Sequence, residues 1–328
     1  MSTTAKPVES NPLLQRLRTE GWLGFGAAPI GNLYRAISDD VAIAAVDAAW
    51  QAGLRYFDTA PHYGLGLSEK RVGQVLAAKP RDEYLLSTKV GRLLRPNPDP
   101  KPGIVEAYDT TNELRRVRDY SADGVKRSIE ESLERLGVDR IDIVYIHDPD
   151  DYWKEAISGA VPALSQLRSE GVIGAYGAGM NQAEMLERFV REGDLDLVML
   201  AGRYTLLEQE SSVPLRKACA ERGVGVVNVG VFNSGLLAND RPPADAHYNY
   251  EQAPAELIAR ANQLADLAEK HGTTLPTAAL AFSYRNPLVT SVVLGMRTVE
   301  QVRDNVDLAA REVPEEFWTE AAELGFIE

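Results

Sequence analysis

Three stretches decide how this chain folds: Tyr56-Phe57-Asp58-Thr59-Ala60-Pro61-His62-Tyr63-Gly64, Leu85-Leu86-Ser87-Thr88-Lys89-Val90-Gly91 and Ile143-Val144-Tyr145-Ile146-His147-Asp148-Pro149. Each opens as a short apolar run rich in aromatic or β-branched residues, the pattern of a strand buried on both faces. Each then turns polar and meets Gly or Pro. Asp58, Tyr63, Lys89 and His147 are thereby delivered at or just beyond strand ends. These residue types suit proton transfer to a carbonyl oxygen: a Tyr as acid or base, a Lys that lowers its pKa, an Asp that holds the Lys, and a His that orients the oxygen.

Outward from these runs, strand-like and helix-like segments alternate along almost the whole chain. Strands are expected near 22–28, 54–58, 84–89, 142–147, 172–177, 196–200, 225–230 and 289–294. Helical spacing fills the gaps. Ser38 is expected to cap a helix running to Gln51, Ser68 one through Ala78, and Ser121 one ending at Gly137, with Val125, Ile129, Leu133 and Leu136 on its apolar face. Further helices are expected near 159–170, 182–192, 213–222, 255–271 and 276–285. Eight such alternations without a break in composition predict an α/β chain folded as one (β/α)8 TIM barrel domain over residues 1–328, with residues 1–20 as an N-terminal extension. A doubly wound sheet is the alternative. It wants Gly-x-Gly-x-x-Gly after the first strand, and Pro29 occupies the third glycine position in Gly24-Phe25-Gly26-Ala27-Ala28-Pro29.

Two connections exceed ordinary turns. Residues 92–120 carry Pro96, Pro98, Pro100 and Pro102, and residues 236–254 carry Pro242, Pro243, His247, Tyr248 and Tyr250. Both follow strands, so both belong on the C-terminal face where barrel enzymes build their sites, and we read them as substrate-side loops.

Composition narrows the function. The chain has 328 residues, is 45% hydrophobic and carries a net charge of -13. That charge disfavours nonspecific binding to nucleic acid or anionic membranes. No run approaches membrane-spanning length, Met1 to Pro12 lacks the apolar centre of a secretion signal, and a cytoplasmic location is the default expectation. Cys219 is the only cysteine, so neither an intrachain disulfide nor a cysteine metal cage is available.

The chain resembles the aldo-keto reductase superfamily over nearly its full length. The resemblance rests on Phe57-Asp58-Thr59-Ala60 with Tyr63-Gly64, on Ser87-Thr88-Lys89, on Asp139-Arg140-Ile141-Asp142 leading to Ile146-His147, and on Gly295, Gln301 and Asn305. Finer runs, among them Pro61-His62-Tyr63-Gly64-Leu65-Gly66-Leu67-Ser68-Glu69, His147-Asp148-Pro149-Asp150-Asp151 and Ala201-Gly202-Arg203-Tyr204-Thr205, are similar to the bacterial L-fucose and D-threo-aldose 1-dehydrogenases and to pyridoxal 4-dehydrogenases. That subgroup implies NAD(P)-dependent oxidation of an aldose hemiacetal to its lactone, or of pyridoxal, with no metal. Tyr63 would be the general acid/base. A free tyrosine titrates near pH 10, and Lys89 would bring it toward working pH. Asp58 would hold Lys89, and a neutral His147 would donate to the substrate oxygen.

The resemblance also implies the surroundings of that tetrad. Gly295, Met296, Arg297, Gln301 and Asn305 would surround the adenosine half of the cofactor, at a helix opened by the capping box Thr298-Val299-Glu300-Gln301. Many NADP-preferring relatives carry Lys where this chain has Gly295 and Arg where it has Gln301, which favours NAD. Arg297 pairing with a 2′-phosphate would favour NADP. Asn181 would hold the nicotinamide amide in place of the usual Ser-Asn. Gly230 stands where a ring-stacking aromatic is usual, with Phe232 close by. Arg92, Arg203 and Tyr204 are expected at the substrate, and His62 either lines the pocket or faces solvent. Two other classes remain in view: a cofactor-binding sensor with little turnover, and a metal-dependent barrel hydrolase prompted by His147-Asp148, which lacks paired His-x-His ligands. His271, at a helix end, reads as structural.

Overall fold

The computed structural model describes residues 11–328 except 244, 245, 249 and 250. The first ten residues of the 1–20 extension and Tyr250 therefore lie outside the described residues. Eight parallel strands close a barrel: β1 (Leu23–Gly26), β2 (Tyr56–Asp58), β3 (Leu85–Val90), β4 (Ile143–His147), β5 (Ala175–Met180), β6 (Leu197–Ala201), β7 (Gly225–Val229) and β8 (Val289–Gly295). Each pairs with its neighbour in sequence, and β8 returns to β1 with Gly26 opposite Gly295.

The strands are buried on both faces, and two apolar layers result. The outer layer lies between strands and helices, for example Phe25, Phe57, Leu86, Val144 and Val292 against Val46, Val72, Val125 and Leu164. The inner layer fills the barrel with Tyr56, Leu85, Ile143, Tyr145, Leu197, Met199, Val227 and Val293, joined by Leu14 and Leu17. Those two leucines belong to a helix, Pro12–Glu20, whose start is capped by Asn11. Half of the expected extension is thus a plug packed among the first residues of the strands, away from their C-terminal ends.

Most expected helices form where their caps stand. Ser38 accepts from Val41 N ahead of Asp39–Gln51, and Ser121 accepts from Gly124 N ahead of Ala122–Leu136, which ends on Gly137 at φ 65°. Two expectations need correction. Ser68 is not a cap: the helix is Leu67–Leu76 with Gly66 in the cap position, and Ser68 Oγ, fully buried, donates to Ala27 O at 2.8 Å. The fifth strand is not 172–177 but Ala175–Met180, because Val172 and Ile173 both turn back to Leu167 O. Glycine makes that strand possible, since a Cβ at Gly177 would lie 1.9 Å from Leu197 O.

The two long connections carry their own structure. Residues 92–120 fold into an antiparallel ribbon, Arg92–Pro96 with Leu114–Arg118, and a second hairpin, Gly103–Val105 with Tyr108–Thr110. In 236–254, His247–Tyr248 pairs with Glu251–Gln252. No helix is long and apolar enough to cross a membrane among the described residues.

Candidate active site

Register places the catalytic candidates together. Asp58 ends β2, Lys89 is the penultimate residue of β3 and His147 ends β4, on three consecutive strands. Lys89 Nζ meets Asp58 Oδ1 at 2.9 Å and Oδ2 at 2.7 Å, and donates to Thr59 O at 2.9 Å. Ser87 Oγ donates to Asp58 Oδ1 at 2.7 Å, and Tyr56 OH links Ser87 Oγ to Tyr145 OH. Tyr56, Asp58, Ser87, Lys89 and Tyr145 are all buried. A buried ion pair is tolerated when its remaining bonding capacity is met, and here two donors, Lys89 Nζ and Ser87 Oγ, make three hydrogen bonds to one carboxylate.

Tyr63 stands above this pair, its ring centroid 4.7 Å from Lys89 Nζ. Backbone contact sets its height: a Cβ at Gly31 would lie 2.8 Å from Tyr63 C, and one at Gly64, where φ is 63°, would lie 2.3 Å from Gly31 O. His147 crosses Tyr63 edge-on at 5.7 Å, His62 meets His147 at 5.4 Å, and Tyr108 stacks on Tyr63 at 5.9 Å. Burial, with the nearby Arg92 and Lys89 charges, pushes His147 well below the usual imidazole range. Burial and Arg92 do the same to His62. Both are neutral at pH 7. Tyr120 OH donates to His147 O at 3.0 Å, and Arg118 donates to Asp148 O at 2.8 Å, which fixes the strand end.

These side chains face a cavity of about 480 Å³ whose walls include His62, Tyr63, Lys89, Glu106, Tyr108, His147, Asn181 and Ala201. A second cavity of about 750 Å³ adjoins it through the shared walls Leu33 and Tyr34, and is bordered by Gly230, Phe232, Asn233, His247 and Gly295. Asn233 Oδ1 is buried in that wall without a hydrogen-bond partner among the described residues. Side by side the two make a composite site spanning from the tetrad to Gly295. Its length, its glycine-lined wall and the unpartnered amide oxygen suit an extended, polar dinucleotide. Residues fitting such a group are Asn181 at the tetrad end, Gly230, Phe232 and Asn233 in the middle, and Gly295 with the start of helix Val299–Ala309 at the far end.

Other expectations shift. Thr298 does cap that helix, accepting from Gln301 N, but Gln301 Oε1 accepts from Arg297 N instead of Thr298 N. Met296 is fully buried, Asn305 is half-buried on the helix, and Arg297 Nη2 donates to Leu33 O at 3.1 Å. Arg92 borders the site, reaching His62 Nδ1 at 3.0 Å and Asp148 Oδ2 at 2.5 Å. Arg203 and Tyr204 are not brought to the tetrad. Arg203 reaches Glu208 at 3.4 Å, and Glu208 also accepts from Tyr248 OH, so Arg203 braces the 236–254 connection. Tyr204 packs on Phe282 at 4.9 Å beneath Arg216, on the outer side of the barrel. His271 pairs with Glu320 at 2.7 Å, far along the surface. Among the described residues, no three His, Cys, Asp or Glu side chains converge to hold a metal.

Comparison with known proteins agrees with the geometry. The aldo/keto reductase family model matches residues 22–325. The chain is 50% identical over 309 residues to D-threo-aldose 1-dehydrogenase from a Pseudomonas species, covering 93% of this chain and 94% of that one. It is 39% identical over 323 residues to pyridoxal 4-dehydrogenase from Microbacterium luteolum, with the same coverage of 93% and 94%. Among solved structures it resembles glycerol dehydrogenase from Gluconobacter oxydans at 25% identity and TM-score 0.72, covering 92% of this chain and 90% of that one. The chain belongs to the aldo/keto reductase family and is an oxidoreductase.

Proposed function

We propose that this enzyme oxidises a free aldose of the L-fucose or D-threo type at its anomeric carbon, giving the lactone, with NAD as electron acceptor. The observation that carries this reading is the stack of Tyr63 over the buried Lys89–Asp58 pair, beside a neutral His147, in a cavity that adjoins a second, larger one at Leu33 and Tyr34. Identity of 50% to a D-threo-aldose 1-dehydrogenase supports the substrate class.

Tyr63 removes the proton of the anomeric hydroxyl, and the Lys89 ammonium stabilises the negative charge of the phenolate that does so. Asp58, held by Ser87, fixes Lys89 so that this charge cannot wander. Neutral His147 donates to the anomeric oxygen and orients it toward Tyr63. When bound, the nicotinamide ring supplies the acceptor for the hydride leaving the anomeric carbon. Tyr63, His147 and Tyr108 form walls of the cavity in which the sugar would sit. NAD is favoured over NADP because Gly295 and Gln301 bring no cation to a 2′-phosphate, and one arm of Arg297 is engaged by Leu33 O. Pyridoxal is the second reading, favoured by 39% identity to a pyridoxal 4-dehydrogenase.

The test follows reduced-nicotinamide absorbance, with NAD and NADP offered separately against L-fucose, D-arabinose, L-galactose, L-xylose and pyridoxal. NADH formation with an aldose is the expected result. Signal with pyridoxal alone selects the second reading, and silence with cofactor binding intact overturns both.

A further inference from the structure

We propose that Glu106, at the tip of the hairpin Gly103–Val105/Tyr108–Thr110, is a specificity-determining residue that selects neutral polyhydroxylated substrates over anionic ones. This deepens the aldose reading above and rests on it for the identity of the neutral substrate.

Glu106 comes from the far end of the 92–120 connection, yet it borders the same cavity as Tyr63 and His147. Its side chain remains 53% exposed, so the carboxylate stands at the opening. Oε2 lies 3.7 Å from His62 Nδ1, 3.6 Å from Arg92 Nη1 and 3.7 Å from Arg116 Nε. These separations permit charge compensation but exceed good hydrogen-bond lengths, so the carboxylate lone pairs remain available to substrate hydroxyls. Arg92 Nε and Arg116 Nε are both buried without hydrogen-bond partners among the described residues.

Charge makes the carboxylate consequential. Arg92, Arg116, Arg118 and Lys89 crowd this side of the site, and Lys89 is matched by Asp58 and Arg92 by Asp148. Removing Glu106 takes a carboxylate from beside Arg92 and Arg116, and the mouth then carries the unbalanced positive charge of a receptor for phosphate or carboxylate. With Glu106 in place that attraction is offset, and an incoming anion meets a like charge first.

The backbone points the same way. Glu106 and Ala107 have φ of 47° and 70°, the left-handed pair of a tight hairpin turn. Asn-Gly adopts such a turn with little strain, whereas Glu-Ala does not. Strain held beside a functional cavity motivates a role for the side chain. The tip is also anchored. Tyr34 N donates to Ala107 O at 2.7 Å, Asp109 N donates to Asn32 O at 3.0 Å, and Leu33 bridges to Tyr108. Glu106 is therefore presented from a fixed platform.

The test compares wild type, E106Q and E106D by titration calorimetry with D-arabinose and D-arabinose 5-phosphate on the NADH-loaded protein, which cannot oxidise either sugar, alongside kcat/KM for D-arabinose with NAD. E106Q is expected to raise affinity for the phosphate ester relative to the neutral sugar by roughly tenfold at low salt, and the gain should shrink as ionic strength rises. E106D, which keeps the charge, should stay close to wild type. An unchanged ratio in E106Q, a gain insensitive to salt, or an equal gain in E106D overturns the proposal. Phosphate-ester binding is read without turnover. Absence of aldose oxidation in every variant therefore counts against the proposed reaction, while a charge-dependent gain beside it leaves the role of Glu106 standing.

Discussion

Lys89 is only 2% exposed, and its ammonium is enclosed by both oxygens of Asp58 and the carbonyl of Thr59. Nothing else in the described surroundings offers it a counter-charge so close. Asp58→Asn is therefore expected to strand a buried cation and cost about 3–5 kcal/mol of stability. Pairing it with Lys89→Met removes both charges and should recover much of that loss, so the two substitutions will be far from additive in urea denaturation. Additive losses would show that the pair does not act as a unit. Tyr63 poses a different question, because its ring stacks on Tyr108 while only its hydroxyl carries a proton. Tyr63→Phe keeps the ring and removes the proton carrier. Turnover should fall by about 10²–10⁴-fold with nucleotide affinity retained. Near-normal turnover in that variant would remove Tyr63 from its assigned role.

The plug helix Pro12–Glu20 separates stability from activity at the scale of an element. Leu17 is fully buried among Tyr56, Leu85 and the other residues inside the barrel, near the strand starts and away from Tyr63. Leu17→Ala should cost about 2–5 kcal/mol by cavity formation, with kcat/KM at 25 °C left as in wild type. A matching loss of kcat/KM in the folded variant would mean that the barrel floor is coupled to the site. This helix also marks a limit of sequence reading. A strand such as Leu85–Val90 is buried on both faces, so its apolar run is visible in one window of sequence. Leu14 and Leu17 find their partners only when the barrel closes. Ala175–Met180 was displaced for a related reason: Val172-Ile173 carries the β-branched signal, while Gly177 and Gly179 carry the strand because neighbouring backbone and Met199 crowd them. Asp58, Lys89 and His147 were legible because strand ends point at one mouth. Glu106 and Tyr108 were not, since the fold of 92–120 carries them back over Tyr63 and no local pattern announces that return. Arg203 and Tyr204 diverge from local expectation in the opposite sense. They follow β6 directly, yet the chain turns there toward Glu208 and Phe282.

At the scale of the whole molecule, the site imposes a pH dependence on folding. His62 and His147 are buried among Arg92, Arg116, Arg118 and Lys89, and both are held below the ordinary imidazole value, first by desolvation and then by those cations. Above about pH 6.5 each histidine is neutral in both states and contributes no slope. Below it the unfolded chain takes up protons that the folded chain refuses, so stability falls as pH falls, by about 1 kcal/mol per pH unit for each histidine. Asp148 acts in the opposite direction. Burial raises its pKa above the usual carboxylate value, so the folded chain protonates first and the loss is partly offset as its own range is approached. Urea unfolding at pH 7.5, 6.5 and 5.5 should thus show a flat upper interval and a steep lower one. His62→Gln is the deciding variant, because it removes one of the two titrations while leaving the Lys89–Asp58 pair and His147 in place. Its slope between pH 6.5 and 5.5 should be about half that of wild type. A slope equal to wild type would mean that the loss comes from carboxylates elsewhere on this acidic surface and not from the two imidazoles at the barrel mouth.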